Sequence, residues 1–210
     1  MDLVKEAYKI QGQTIIKNLE KRLIEGYYCD TGEEAAEKIL SLIEDGSSVS
    51  WGGSRTLDEI GIKEKLNNRN LTIIDRDKAQ NPEERIKLMK DALHCNYFLT
   101  STNALTIDGE LVNIDGNGNR VAAICFGPDN VIIVAGMNKL TANIDSAINR
   151  VRINACVPNA IRFNLQTPCA LSGECKDCLG TSICGQIVVT RVSKPKNRIK
   201  LILVGENLGF

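Results

Sequence analysis

Histidine occurs once in these 210 residues, at His94. One imidazole removes the nucleophilic triads that need a histidine base. Standing at the end of the helical pattern MKDALHC, it reads as a capping or surface residue. Net charge is lacking too. Twenty-six lysines and arginines balance 26 aspartates and glutamates, which leaves no overall basic footprint for nucleic acid or an anionic membrane. No apolar run approaches the roughly 20 residues that a membrane-crossing helix needs. The opening stretch MDLVKEAYKIQGQ carries charges where a signal peptide would hold apolar residues, so a cytoplasmic location is expected.

Cysteine, by contrast, is plentiful. Eight are present, and in a reducing compartment a disulfide framework explains them poorly. Cys29, Cys95, Cys125 and Cys156 are scattered beside apolar residues and read as buried thiols that pack as small hydrophobes. The other four, Cys169, Cys175, Cys178 and Cys184, crowd TPCALSGECKDCLGTSIC in the spacing C-x5-C-x2-C-x5-C. The CKDC pair offers two thiolates from one tight turn, and the outer two can close a four-sulfur shell. Pro168, Gly173, Gly180 and Gly185 supply turns. The favoured reading is an iron–sulfur cluster, of the four-iron type, on these thiolates. A structural zinc ion is the alternative, although zinc ribbons usually show two C-x2-C knuckles and this run has one. Free thiols are the third.

Helix and strand patterns alternate along most of the chain. Leu3, Val4, Ala7, Tyr8, Ile15, Leu19 and Leu23 recur at helical spacing and predict an amphipathic helix over Asp2 to Glu25, ended by Gly26. It would lie on the body of the protein or at a homodimer contact, so residues 1–26 read as an N-terminal helix and 27–210 as one domain. Thr31 with Glu34 predicts a capped helix to about Glu44. SSVSW, LTIID and NYFLTS read as strands, with helices opening at Thr56 with Glu59 and at Pro82. ALTIDGELVNID carries Asp108-Gly109 between alternating apolar residues, a hairpin signal; Asp108 and Glu110 beside that turn read as solvent-facing. VIIVAG is an apolar run of the kind buried on both faces. TANIDSAINRVRINACV predicts a helix from near Thr141 that ends before Pro158, and QIVVTRV and IKLILVGE are strands. The alternation predicts an α/β fold with a mainly parallel sheet flanked by helices and one antiparallel excursion. The cysteine-rich loop spans 168–185.

Two loops could bind a ligand. In SWGGSRT, Gly52 and Gly53 let backbone N–H groups come close to an anion, and Ser54, Arg55 and Thr56 can add hydrogen bonds. A tight strand-to-helix turn is the competing explanation. In NIDGNGNRVA, Asp115, Asn117 and Asn119 interleave with Gly116 and Gly118, and Arg120 follows. That density exceeds what a simple turn needs. A calcium loop is excluded, because Phe126 stands where the last carboxylate ligand would be. Lys139 follows VIIVAG at the carboxyl end of a central strand, the edge where open α/β sheets bind ligands.

Taken together, these segments resemble the LUD (lactate-utilisation) domain family. The likeness covers nearly the whole chain and is most specific from Arg150 to Phe210, through VPNAIRFN, TPC, the C-x2-C knuckle and RIKLILVGENLGF, with SWGGSRTL matching an early turn. Where many LUD proteins carry glutamate-threonine-glycine, this chain has Ile107-Asp108-Gly109. The resemblance implies a fold like that of ribose-5-phosphate isomerase, glucosamine-6-phosphate deaminase and the CoA transferases, with both glycine loops lining one pocket. It also implies a redox-linked accessory role in lactate-type organic-acid metabolism, a small anionic metabolite as ligand, and redox partner proteins. An enzyme on a phosphorylated or acyl substrate is the alternative, with Ser54 and Thr56 gripping the anion, Asp115 as acid or base, and Arg120 or Lys139 stabilising charge. A ligand-binding module without turnover is the third reading.

Overall fold

Strands that are apolar at every position need cover on both faces, and this requirement organises the molecule. The computed structural model of the chain describes residues 2–180 and 182–210, which leaves Met1 of the expected N-terminal segment and Thr181 of the cysteine-rich loop outside the description. In chain order the elements are α1 (Leu3–Lys21), β1 (Glu25–Cys29), α2 (Gly32–Leu42), β2 (Ser48–Trp51), α3 (Arg55–Glu59), α4 (Ile62–Asn67), β3 (Thr72–Ile74), α5 (Pro82–Asp91) and β4 (Tyr97–Ser101). Then follow β5 (Ala104–Thr106), β6 (Leu111–Asp115), α6 (Asn119–Cys125), β7 (Asn130–Gly136), β8 (Leu140–Thr141), α7 (Ile144–Arg150), α8 (Cys156–Arg162), α9 (Pro168–Ser172), β9 (Gln186–Thr190) and β10 (Ile199–Val204).

The main sheet has six strands in the order β1-β10-β7-β4-β2-β3, and all of its pairings are parallel. In β7, Val131, Ile133 and Ala135 enter the core beneath α1, while Ile132 and Val134 enter the core on the opposite face. β10 does the same with Leu201 and Leu203 against Ile202 and Val204. A second sheet, β8-β5-β6-β9, contains the hairpin of β5 and β6, paired antiparallel as the Asp108-Gly109 turn predicts. A third core of Ala104, Val112, Ile114, Ala147, Val151, Ala155 and Cys156 packs beneath it. The expected α/β fold, with a mainly parallel sheet and an N-terminal helix, is the fold observed.

Several local expectations are corrected. The first helix ends at Lys21, and Gly26 lies inside β1, a strand that the helical spacing conceals. The left-handed residue after the helix is Leu23, at φ 58°. Ser54 caps α3, its Oγ accepting from Leu57 N, so that helix starts one residue before Thr56. Helical structure also continues past Pro158. A π turn over Val151–Ala155 joins α7 to α8, and the proline falls in the first turn of α8, where its missing N–H is tolerated. Glu110 is not solvent-facing: it pairs with Arg22 and accepts from Thr106 Oγ1.

α1 belongs to the body of the fold, since Ile15 and Leu19 are fully buried in the core shared with Val131 and Ile133. Leu19→Ala should therefore lower the unfolding free energy by about 2–5 kcal/mol, read from the midpoint of a urea titration. An unchanged midpoint would mean that α1 only rests on the surface.

Candidate functional site

Chain order in the main sheet reverses between β2 and β4. From β2 the chain steps outward to β3, then returns across β2 to β4 and proceeds the other way to β7 and β10. Connections leaving neighbouring strands in opposite directions open a crevice at the carboxyl ends of those strands. A cavity of about 340 Å³ lies there, lined by Gly53, Ser54 and Thr56 after β2, Arg76 after β3, Thr100 to Asn103 at the end of β4, and Lys139 after β7. Asp115, Gly116, Asn117, Asn119 and Arg120 close one side. The two glycine loops thus meet across one space, as anticipated. Gly52 and Gly118 are not among its lining residues.

The glycine pair is required by what lies over it. A Cβ on Gly52 would stand 3.1 Å from the Arg120 side chain and 3.2 Å from Thr100 Oγ1, and one on Gly53 would stand 2.8 Å from Arg76 Nη2. Gly118 begins α6 at φ 82°, in the left-handed region. Asp115 holds that loop: Oδ1 accepts from Gly116 N at 3.0 Å, and Oδ2 from Arg120 N at 3.1 Å and Val121 N at 3.0 Å. The Arg120 guanidinium donates to Ser101 O and Asn103 Oδ1 on one side and to Asn113 Oδ1 and Ile114 O on the other.

Lys139 is 2% exposed and donates to Thr56 Oγ1 at 2.9 Å and Ser101 Oγ at 2.7 Å. Burial, with repulsion from Arg150 and Arg120 outweighing attraction to Glu59, pulls its ammonium from the ordinary lysine value of 10.5 down to about 7. Around it the lining is strongly basic. Arg55, Arg76, Arg85, Arg120, Arg162 and Lys139 face one carboxylate, Asp115, among the described residues. Burial lowers Arg76, Arg120 and Arg162 below the ordinary arginine value, yet a guanidinium stays charged in proteins. The buried Nε of Arg76 has no hydrogen-bond partner among the described residues. Sequence reasoning missed Arg76, Arg85 and Arg162; Arg76, directly behind the strand LTIID, is the one whose position at a strand end could have revealed it.

The C-terminal end of the cysteine run reaches the cavity. Ile183 lines it, and Gly185 packs against the Gly116 carbonyl so closely that a Cβ would stand 2.7 Å away. Cys169 is buried, with its Sγ 3.2 Å from Thr167 Oγ1, while Cys175, Cys178 and Cys184 are partly exposed. Cys184 Sγ stands 3.6 Å from Cys156 Sγ. Their hydrogen bond pulls the Cys184 thiol down to about 7 and pushes Cys156 up. Among the scattered cysteines Cys29, Cys95 and Cys156 are buried as expected, although Cys156 touches Cys184, and Cys125 is exposed. His94 sits on the surface, away from this region. No three histidine, cysteine, aspartate or glutamate side chains among the described residues converge as a ready metal shell. No helix among them is long and apolar enough to cross a membrane.

Residues 12–204 match the LUD domain, most of the chain's length. The chain belongs to the LUD domain family. In solved structures this LUD domain is similar to a DUF162 family protein from Deinococcus radiodurans, 9% identical, over 95% of this chain and 97% of that one, with a TM-score of 0.51. At that identity the likeness concerns the fold alone. It is also similar to ribose 5-phosphate isomerase A from Neisseria gonorrhoeae, 12% identical over 58% of this chain and 62% of that one, TM-score 0.36. For ribose 5-phosphate isomerase A from Methanocaldococcus jannaschii the figures are 14%, 63%, 62% and 0.35. Likeness this low has no bearing on the site. No curated protein matches the chain.

The lowered Lys139 value sets a stability trend. The unfolded chain binds this proton up to the ordinary lysine value while the folded chain has released it, so stability rises with pH across that interval. The destabilisation is complete below about pH 7 and fades as pH climbs toward 10.5. Thermal melting from pH 6.5 to 9.5 should show the wild type gaining on Lys139→Met as pH rises. Parallel curves would show that Lys139 titrates normally.

Proposed function

We propose that this LUD domain binds a small anionic metabolite of lactate-type organic-acid metabolism in the cavity at the ends of β2 and β4, as a redox-linked accessory protein. The observation that carries this reading is the basic lining, six cations against one carboxylate in a chain with no net charge. An anion entering it exchanges water for charge-assisted hydrogen bonds from guanidiniums. The volume of about 340 Å³ lies at the small end of the ligand-pocket range, about 300–1,000 Å³, which suits a few carbons bearing a carboxylate or phosphate. Gly53 leaves backbone open to the ligand, with Gly52 making room for the Arg120 side chain behind it, and Ser54 and Thr56 bond the ligand's oxygens. Gly116, Asn117 and Asn119 form the opposite wall, with Gly118 turning the chain into α6. Arg120 opposes negative charge, Asp115 holds the loop that carries it, and Lys139 takes up or returns a proton near neutral pH.

The neighbouring cysteine run is an all-thiol donor set, which fits iron–sulfur or zinc chemistry. Cys169, Cys175, Cys178 and Cys184 are its motif donors. An iron–sulfur centre there would store and pass an electron to a protein partner, and a zinc ion would brace the lobe. One observation favours a second reading, an enzyme acting on a phosphorylated or acyl substrate. Lys139, whose proton is loosened by burial toward neutral pH, can serve as a base. Product formation separates the two.

Calorimetric titration with L-lactate, pyruvate and inorganic phosphate at low salt tests the binding site. At least one should bind, and Arg76→Gln should weaken that ligand tenfold or more, as the loss of a charged hydrogen bond of about 1.5–3 kcal/mol implies. If none binds, the cavity is not an anion site.

A further inference from the structure

We propose that Lys139 is a nucleophile: its ε-amine condenses with the carbonyl carbon of a small anionic ketone or aldehyde bound in the cavity and holds it as an imine. This rests on the reading of the cavity as an anion site, and it names the chemical class of the ligand and the atom that meets it.

The nitrogen is placed for this. Lys139 lines the cavity yet is almost wholly buried, so its amine borders the ligand's space with bulk water held off. Nζ donates to Thr56 Oγ1 at 2.9 Å and to Ser101 Oγ at 2.7 Å. Both hydroxyls have acceptors for their own protons: Ser101 Oγ donates to Thr102 O at 3.2 Å, and Thr56 Oγ1 to Leu208 O at 3.4 Å. Each can therefore accept from the lysine, and Cε with two N–H bonds fills three of the four tetrahedral positions on the nitrogen. The fourth carries the lone pair of the neutral amine. No carboxylate among the described residues forms an ion pair there. A Cβ on Gly209 would stand 2.5 Å from Thr56 Oγ1 and 3.4 Å from Nζ, so glycine keeps this corner uncrowded. Burial, reinforced by Arg150, loosens the lysine proton to about 7, and the neutral amine is the form that attacks a carbonyl.

The rest of the lining says what the carbonyl is attached to. Arg76 follows β3 and Lys139 follows β7, with β2 and β4 between those strands, which sets them about 14 Å apart along the sheet. A lysine and an arginine reaching in from the two sides leave room for a ligand of only a few carbons. Arg76 Nε, buried and without an acceptor among the described residues, can take a carboxylate or phosphate. Anion and carbonyl thus sit close together on one small molecule. The step balances without a further reactant. The lone pair attacks the carbonyl carbon, the C=O pair moves to oxygen, and that oxygen takes the nitrogen's two protons in turn and leaves as water. One C=N bond and the two O–H bonds of water replace one C=O bond and two N–H bonds, and nothing is oxidised or reduced. Thr56 and Ser101, already bonded to the nitrogen, relay the protons.

Wild type, Lys139→Arg and Arg76→Gln should be treated at neutral pH with sodium cyanoborohydride and either pyruvate or dihydroxyacetone phosphate, and the reduced adducts located by peptide mass mapping. Calorimetric titration with both probes, L-lactate and inorganic phosphate runs beside it. The expected adduct is concentrated at Lys139, at least about tenfold above any other lysine, since each unit of lowered pKa raises the share of free amine about tenfold. Trapped pyruvate makes the ligand a 2-oxo acid and trapped dihydroxyacetone phosphate makes it a phosphorylated ketone; either sustains the proposal. Arg76→Gln should lose most of the adduct, and an undiminished adduct there overturns the pairing of carbonyl with anion. Labelling spread evenly over the lysines overturns the nucleophile. If lactate or phosphate binds but neither carbonyl probe is trapped at Lys139, the imine falls and the anion site stands. If no probe binds or is trapped, both fall. Lys139→Arg keeps the cation and should bind the anion without forming the adduct, and the wild-type map decides the matter even if that variant does not fold.

Discussion

One guanidinium ties the two sheets together. Arg120 reaches from the start of α6 to Ser101 O and Asn103 Oδ1, at and beyond the end of β4, and to Asn113 Oδ1 and Ile114 O in β6. These acceptors belong to different sheets and their connection, and no other side chain among the described residues bonds all four. Its aliphatic stem crosses Gly52, so the glycine turn, the end of the parallel sheet and the edge of the second sheet keep one relative placement. Because each acceptor is occupied by the same planar group, moving any one of these segments breaks a charged hydrogen bond. The cavity keeps its shape because Arg120 ties its walls together.

The cavity also shows how a neutral chain can be locally basic. The cations that gather there come from α3, from both ends of the β3–α5 region, from α6, from the residues after β7 and from α8. The carboxylates that balance them in number, Asp115 apart, lie elsewhere in the molecule. Lys139 supplies the one amine of the lining, and it differs from the arginines because its proton can leave. Held by two hydroxyls and faced by Arg150 and Arg120, it is the group in the cavity best able to exchange a proton near neutral pH.

The sheet was legible because two of its inner strands are almost wholly apolar; VIIVAG and IKLILV, with Lys200 the one charge between them, admit few other places than a two-faced core. The hairpin was legible from Asp108-Gly109, and both glycine loops from their density of small residues. What escaped the sequence was whatever depends on distance across the fold. GYYC in β1 sits directly behind a helical pattern, and its partner β10 is far along the chain. Arg76, Arg85 and Arg162 carry no local signature, because a lone arginine in a helix or turn is ordinary until the sheet order brings it to the crevice. Cys156 was read as an isolated core thiol for the same reason: 28 residues separate it from Cys184. Pro158 misled as a helix end because local rules do not foresee a π turn placed just ahead of it.

That π turn has a mechanical consequence. Ala155 and Cys156 are consecutive, one on the wall of the cavity and the other against the Cys184 thiol. Converting the widened turn to α-helical register would turn everything beyond it by about 100° per residue, carrying wall and thiol together. The two places are geared through a single peptide unit, so neither can be reshaped while the other stands still.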